Sequence, residues 1–404
     1  MIIKRIIMLF MLFVLVVCSF AENDEDVNSS GAEGEGVSGQ NPETGLPEGV
    51  TIEEEEDKAW GFTIYPYSLV GASIIAGYKN DIENRDLFNG VVLGAGIGWG
   101  FHNFYRDFDG NLLTSDNTSG IDITKDTAYY NLNIFWLTGF HQGLVWNKKL
   151  KQNLMEYFVY YKGMCDINFE KEDQNELIFN QNYNLPDRKG IVLTSFVTGF
   201  LINTIETDDA SKLKKGIYSE VSFEWGPFFM NNKADYIRAN FQFKSCIPLV
   251  EAKLSKKGRN RFSMYIADLL DIDYLYGDKI PVSVRQTLGG LGARPGLGGS
   301  IRGSEAGRYD SRLKILNSLD LRMNLPAIGH KDIIPGFVLF FDAGYYNLIK
   351  GSDGGFLFST GFGFYVDLFS FAQITLYCPQ VLINEEKLNG KKVTPVAFGM
   401  AFHF

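Results

Sequence analysis

The 404-residue sequence predicts an all-β fold, a transmembrane antiparallel β-barrel, from three observations. Aromatic residues make up 14% of the chain and glycine is abundant, which favours strands and turns over helices. Mean hydropathy is close to zero, which excludes a bundle of apolar helices but not a barrel whose strands alternate apolar and polar residues. The N-terminus places an apolar run after two basic residues, as secreted proteins do.

The C-terminal strand shows the predicted alternation most clearly. Its small residues and His403 fall on one face, and its large apolar residues fall on the other. A strand with one wholly apolar face and an aromatic end fits lipid outside and a crowded lumen inside. We therefore identify a C-terminal insertion signal, which makes the outer-membrane assembly machinery an expected partner during biogenesis. The signal consists of Phe398, Met400, Phe402 and Phe404.

Other segments repeat the alternation over 9 to 13 residues, among them Ile217–Trp225, Ile237–Ser245 and Leu313–Leu325. A soluble β-sandwich would alternate too, but its strands are usually only about 5–6 residues long. A tilted strand needs roughly 9–11 residues to cross a bilayer. The lengths therefore favour an integral barrel over a secreted sandwich. The polar segments Asn103–Asp126 and Glu170–Arg188 are expected to be extracellular loops.

Residues 1–21 are predicted to be a secretory signal peptide with cleavage after Ala21. The apolar run Ile6–Val17 is shorter than the roughly 20 residues of a spanning helix. A helical anchor is therefore the lesser alternative, and so is lipidation at Cys18, which follows a poor acylation motif. Residues 22–59 are predicted to be a disordered, acidic periplasmic tail, and residues 60–404 the outer-membrane barrel.

The negative charge of the chain belongs mostly to the tail, since residues 22–57 contain 13 acids and neither Lys nor Arg. The rest of the mature chain has 35 acids and 36 bases, so it is nearly neutral. No basic patch indicates nucleic-acid binding. A solvated spacer is the simpler interpretation of the tail, and docking onto a basic partner is the alternative.

A glycine-rich segment, Leu288–Arg312, precedes two strands that each carry an acid. Asp320 and Asp342 both fall on the polar, lumen-facing side of their strands by alternation alone. A guanidinium suits planar pairing with carboxylates in a partly desolvated interior. We therefore expect the segment to fold inward, so that Arg302 meets one or both acids.

The order GGSIRG, NSLDLRMNLP, FVLFFDAGYYN and an aromatic C-terminus resembles the BamA/TamA, or bacterial surface antigen, superfamily of outer-membrane barrels. The resemblance is specific over residues 288–404 and only architectural over residues 60–287. It implies 16 strands and a long loop after the eleventh strand that folds into the lumen. Two positions depart mildly from the family: Ser304 stands where an aromatic residue is usual, and Asp320 where Glu is usual.

The resemblance also assigns roles to individual residues. Ile301, Arg302 and Gly303 would form the tip of the loop, and Asp320 would be the acid of the twelfth strand. The Phe-x-Asp-x-Gly motif of the thirteenth strand would consist of Phe340, Asp342 and Gly344.

The resemblance implies an integral outer-membrane protein of a double-membraned bacterium that aids protein insertion or translocation. Assembly factors of the family carry periplasmic repeat domains, and the 38 residues between the signal peptide and Trp60 are too few for one. An unidentified periplasmic protein is therefore an expected partner, besides the lipid bilayer. The alternative is a passive pore or a structural surface barrel that keeps the fold but not the assembly activity.

Catalysis is not expected. The histidines are His102, His141, His330 and His403, and no Ser or Asp stands at a recognisable catalytic spacing from them. Three scattered cysteines after the signal peptide give neither a disulfide framework nor a zinc motif. The sequence therefore predicts no catalytic residues, no metal site and no cofactor.

Overall fold

The computed structural model describes residues 60–402, except for several gaps. The predicted signal peptide, the predicted tail and Phe404 lie outside the described residues. The gaps are 67–69, 83–86, 108, 115–117, 148–151, 171–175, 180–184, 209, 232, 255–260, 293, 331, 348–353, 369–371 and 384–396.

Strands dominate the described residues. They are β1 Trp60–Pro66, β2 Val70–Ile82, β3 Leu87–Asn103, β4 Ala128–Asn147, β5 Gln152–Phe169, β6 Gly190–Asn203, β7 Glu206–Thr207, β8 Lys214–Gly226, β9 Asp235–Lys253, β10 Arg261–Lys279, β11 Thr287–Leu288, β12 Arg294–Pro295, β13 Leu313–Asn324, β14 Ile333–Asn347, β15 Gly354–Leu368, β16 Ala372–Ile383 and β17 Ala397–Phe402. Four single-turn helices join them: α1 Ile123–Asp126, α2 Phe228–Asn231, α3 Val282–Arg285 and α4 Leu297–Ser300, besides the 3-10 turn Leu177–Phe179. No helix of the described residues is long and apolar enough to cross a membrane.

Antiparallel neighbours build one large sheet, as predicted. Its path runs β1-β2-β3-β4-β5-β6-β8-β9-β10-β13-β14-β15-β16-β17, with β7 paired to β8 at its side. Among the described residues this path contains fourteen strands, and no recorded pairing joins β1 to β17. The count of 16 strands and the closure of the barrel therefore stay predictions.

Burial alternates along the strands and defines two faces. In β14, Val338, Phe340 and Asp342 are buried, whereas Leu339 and Phe341 are exposed. We call the buried side the inner face. Asp342 thus lies on the inner face, the side that strand alternation alone predicts for it. Several strands are longer than the predicted 9–13 residues, up to 20 in β4.

The largest apolar cluster of the described residues lies against the inner face. It joins Phe104 and Leu113, from the connection between β3 and β4, to Leu177 and Ile178, from the connection between β5 and β6. Leu288, Leu297 and Ile301 of the glycine-rich segment complete it. The two polar segments predicted to be extracellular loops thus bury apolar side chains that their overall composition conceals.

Candidate functional site in the glycine-rich loop

The connection between β10 and β13, residues 280–312, packs against the inner face, and we call it the inner loop. It consists of α3, a short hairpin of β11 and β12, α4, and a tight turn after Ile301. Gly303 has a φ of +92°, and a Cβ added there would lie 3.0 Å from side-chain atoms of Pro379 and Val381 in β16. The turn therefore requires glycine, both for its conformation and for its closeness to the wall.

Arg302 forms the tip contact with two acids of the wall. Its Nε donates to Asp342 Oδ2 at 2.8 Å, its Nη2 donates to Asp342 Oδ1, and its backbone N–H donates to Asp342 Oδ2 at 2.9 Å. Nη2 also donates to Asp320 Oδ1 at 2.7 Å and to Ser318 Oγ at 2.8 Å. The structure thus brings Arg302 to both acids, and the contact with Asp342 is bidentate.

The remaining motif residues shape the surroundings of this ion pair. The Arg302 guanidinium carbon lies 3.8 Å from the ring centre of Phe340 and 5.1 Å from that of Tyr377, in cation–π geometry. Ile301 is fully buried, and its Cδ1 would lie 3.1 Å from a Cβ added at Gly344. Phe340 therefore stacks on the cation, Asp342 neutralises it, and Gly344 leaves room for the neighbouring Ile301.

The electrostatics of the tip favour a permanently charged arginine. Burial alone would lower the pKa of the Arg302 guanidinium, but Asp342 and Asp320 together raise it above its usual value. Asp320 also accepts a hydrogen bond from Arg322 Nε at 3.2 Å, so two arginines share this carboxylate. Asp342 is completely buried and depends on Arg302 for its ion pair.

A second anchor, which the sequence did not predict, holds the hairpin of the inner loop. The backbone N–H of Gly289 donates to Asp273 Oδ1 at 3.0 Å, and that of Leu291 donates to Glu220 Oε1 at 2.6 Å. Arg294 forms an ion pair with Asp271. Carboxylates of β8 and β10 therefore bind the glycine-rich backbone itself.

Two buried cations bind the carbonyl groups around the C-terminal end of α3. Lys314 Nζ donates to the carbonyl oxygens of Arg285 and Thr287 at 2.9 and 2.7 Å, and lies 2.9 Å from Asp273. Arg238 Nη2 donates to the carbonyl of Val284 and, at 3.1 Å, to that of Thr287. Cations satisfy carbonyl groups at the end of a helix that would otherwise lack partners.

A family model described as the Omp85 superfamily domain matches residues 154–370, more than half of the chain. The chain belongs to the Omp85 superfamily. This confirms the predicted superfamily, and the match begins well upstream of Leu288, where the sequence resemblance was only architectural. Omp85 proteins are outer-membrane β-barrels, and in such a barrel the inner face of this sheet would face the lumen and the outer face the bilayer.

Solved structures of two proteins are similar to this Omp85 chain. BamA from Haemophilus ducreyi lacking POTRA domains 1–3 is 12% identical with a TM-score of 0.48, and the match covers 82% of this chain and 62% of that one. CdiB from Escherichia coli is 10% identical with a TM-score of 0.45, and the match covers 82% of this chain and 56% of that one. No curated protein is similar enough in sequence to count as a match.

The strand numbers differ from those that the Omp85 resemblance implies. Counted along the described sheet from β1, the inner loop follows the ninth strand, and Asp320 and Asp342 lie on the tenth and eleventh. The resemblance implies the eleventh, twelfth and thirteenth. The residue-to-residue contacts are those expected, while the ordinal positions in the described residues are two lower.

The inner loop is also bonded to β3 and the segment that follows it. Arg106 Nε donates to Asp310 Oδ1 at 2.9 Å in a pair with both side chains almost fully buried. Gln286 Nε2 donates to the carbonyls of Asn103 and Gly307 at 2.8 and 2.9 Å. The inner loop is therefore held at its tip, at its hairpin and at its contacts with β3 and the segment that follows it.

The C-terminal insertion signal is only partly described. Positions 398, 400 and 402 lie in β17 and pair with Leu376, Ile374 and Ala372 of β16, so they share one face of the sheet. Phe404 lies outside the described residues. The role of these four residues in insertion stays a prediction.

Proposed function

We propose that this Omp85 protein is integral to the outer membrane and aids the insertion or translocation of other proteins there, together with a periplasmic protein that recruits the clients. Membership of the Omp85 superfamily supports the membrane location. The observation that carries the proposal is the anchored tip of the inner loop, where Arg302 is bound by Asp342 and Asp320.

The occupied lumen favours this proposal over a passive pore. A pore needs a continuous wet path through the barrel. In this protein the inner loop carries fully buried apolar residues, among them Leu288, Leu297 and Ile301, into the region that such a path would cross. A plug held by buried charges suits a barrel that is closed at rest.

The proposal assigns the protein no catalytic reaction and no cofactor. The charged groups of the inner loop and of the wall around it bind the protein's own chain, as Arg302 and Arg294 of the loop and Lys314 of β13 do. These charged groups hold the inner loop in position. The expected partners are the lipid bilayer, the machinery that inserts the barrel, and the periplasmic recruiting protein.

Depletion of the protein tests the proposed activity. Its expression would be repressed in the source bacterium, and the abundance of every other outer-membrane protein would be followed by quantitative mass spectrometry. We expect a subset of barrel proteins or surface-exposed proteins to fall, and to recover when the wild-type chain is supplied again. If none falls, the assembly proposal is wrong.

Conductance in a planar bilayer tests the alternative of a passive pore. A closed, plugged barrel is expected to give small or flickering openings. Large steady openings of the wild-type protein would favour the pore. The variant Arg302→Ala serves as the comparison, because loss of the tip anchor should increase the open time if the inner loop is the plug.

A further inference from the structure

The inner face of β8, β9 and β10 carries a row of small residues that takes part in neither the tip anchor nor the hairpin anchor. Gly216, Cys246 and Ala267 stand side by side on three neighbouring strands, so the wall carries only small side chains in this row. Lys244 lies one inward-facing position along β9 from Cys246, and Arg322 is paired with Tyr265 on the far side. Lys214, two residues before Gly216 on β8, lies on the same face.

Three cations lie around this row of small residues. Lys214, Lys244 and Arg322 all lie close enough to Cys246 for their charges to act on its thiol group. Lys214 and Lys244 also lie within electrostatic reach of each other. We call this arrangement the basic recess. Like charges repel in a partly desolvated site, and an anion between them would relieve the repulsion.

Two of these cations differ from the other inward-facing lysines. Lys162 and Lys314 each bind a carboxylate at 2.9 Å. In the described part of the chain, Lys214 and Lys244 make neither an ion pair nor a side-chain hydrogen bond, and Lys244 only lies 5.0 Å from the ring centre of Tyr218. Both are partly buried on the lumen side and keep donors to offer.

The carboxylates near the recess are already engaged. Glu220 accepts hydrogen bonds from the Leu291 N–H and the Tyr218 hydroxyl. Asp271 pairs with Arg294, Asp320 is shared by Arg302 and Arg322, and Asp367 accepts from Gln373 at 3.3 Å. None of these acids forms an ion pair with Lys214 or Lys244 among the described residues.

We propose that the basic recess binds a phosphate group, with Lys214 and Lys244 donating hydrogen bonds from two sides and Arg322 completing the positive wall. Lysine serves phosphate as a compact charge with three donors, whereas Arg322 keeps its contact with Asp320. The site adjoins the tip anchor, because Arg302 and Arg322 share Asp320, but it does not depend on the proposed function in assembly.

Cys246 provides a built-in reporter for this test. It points to the lumen, in line with Lys244 on β9, whereas Cys165 and Cys378 alternate with the inward-facing Asp166 and Tyr377 and so lie on the outer face. The purified full-length protein would be treated in detergent with an anionic and with a cationic water-soluble thiol reagent. Peptide mass spectrometry would then follow the modification of Cys246.

We expect the anionic reagent to react with Cys246 about tenfold faster than the cationic one, because the recess concentrates anions. Inorganic phosphate at millimolar concentration should slow the anionic reagent in a saturable manner. The double variant Lys214→Met and Lys244→Met keeps the apolar stems and should bring the two rates together. Lys215→Met is the matched control, because Lys215 is the next residue, exposed and paired with Glu206 at 2.7 Å.

Equal rates of the two reagents in the wild-type protein, or no protection by phosphate, would overturn the proposal. The proposal would also be overturned if the double variant, with unchanged heat-dependent gel mobility, still reacted faster with the anionic reagent and was still protected by phosphate. A short-chain phosphatidic acid, compared with inorganic phosphate, distinguishes the source of the ligand. Stronger protection by the lipid indicates a headgroup, and equal protection indicates free phosphate.

Discussion

The tip and the hairpin of the inner loop are both held by charge, but in opposite ways. At the tip, one side chain of the loop, Arg302, reaches two acids of the wall. At the hairpin and at α3, side chains of the wall reach the backbone of the loop, through Asp273, Glu220 and Lys314. The tip thus depends on a single residue, whereas the hairpin end distributes its contacts over several.

This difference predicts which changes the protein tolerates. Removal of a single cation at the tip should leave a buried carboxylate without its ion pair, whereas removal of one at the hairpin end leaves another cation in contact with the same groups. Four substitutions test the comparison, and each would be measured as the free energy of unfolding in detergent and as heat-dependent gel mobility.

Arg302→Ala should have the largest effect. It leaves Asp342 completely buried and without its ion pair, which costs about 3–5 kcal/mol. Barrel yield should fall as well. Arg302→Lys serves as the control, because it keeps the charge but loses the bidentate geometry. Its free energy of unfolding should lie between those of the wild type and Arg302→Ala. Wild-type heat resistance in Arg302→Ala would show that the tip contact is dispensable.

Lys314→Met should cost less, about 2 kcal/mol, although Lys314 is also fully buried. Arg238 remains within 3.3 Å of Asp273 and still donates to the Thr287 carbonyl, so neither group loses all its partners. An effect equal to that of Arg302→Ala would contradict the idea of distributed contacts at this end of the loop.

Asp320→Asn should cost about 1 kcal/mol, because Arg302 keeps Asp342 and the amide can still accept a hydrogen bond. Asp342→Asn is the matched variant on the neighbouring strand. It should cost clearly more stability, since three hydrogen bonds join Arg302 to Asp342. Equal effects of the two variants would mean that the acids share the arginine evenly.

Gly303→Ala should give the smallest change, about 1 kcal/mol, from the positive φ and the 3.0 Å approach to β16. Gly329→Ala is a useful comparison, because it has a positive φ of 70° but an added Cβ would meet nothing within 4 Å. The difference between the two variants isolates the contribution of packing. If they lose the same stability, closeness to the wall has no effect.

The tip could be predicted because both of its partners carry a sequence signal. Strand alternation assigned Asp320 and Asp342 to the inner face, and the glycine-rich surroundings of Arg302 marked a segment able to turn inward. The Phe-x-Asp-x-Gly pattern gains a reason for each position: Phe340 stacks on the cation, and Gly344 leaves room for Ile301.

The hairpin end could not be predicted in the same way. Alternation placed Glu220, Arg238 and Lys314 on the inner face, but their partners are backbone groups of the loop, which have no signature in the sequence. The sequence did not reveal the burial of apolar residues in the β3–β4 and β5–β6 connections, for another reason. A few apolar residues, such as Phe104 and Leu177, stand among many polar ones, and only tertiary structure brings them together.

The pair of Arg106 and Asp310 links the segment that follows β3 to the inner loop. Its buried guanidinium and carboxylate join the segment after β3 to the inner loop only eight residues beyond Arg302. A displacement of the segment after β3 would therefore be transmitted through this pair to the inner loop, close to the tip contact.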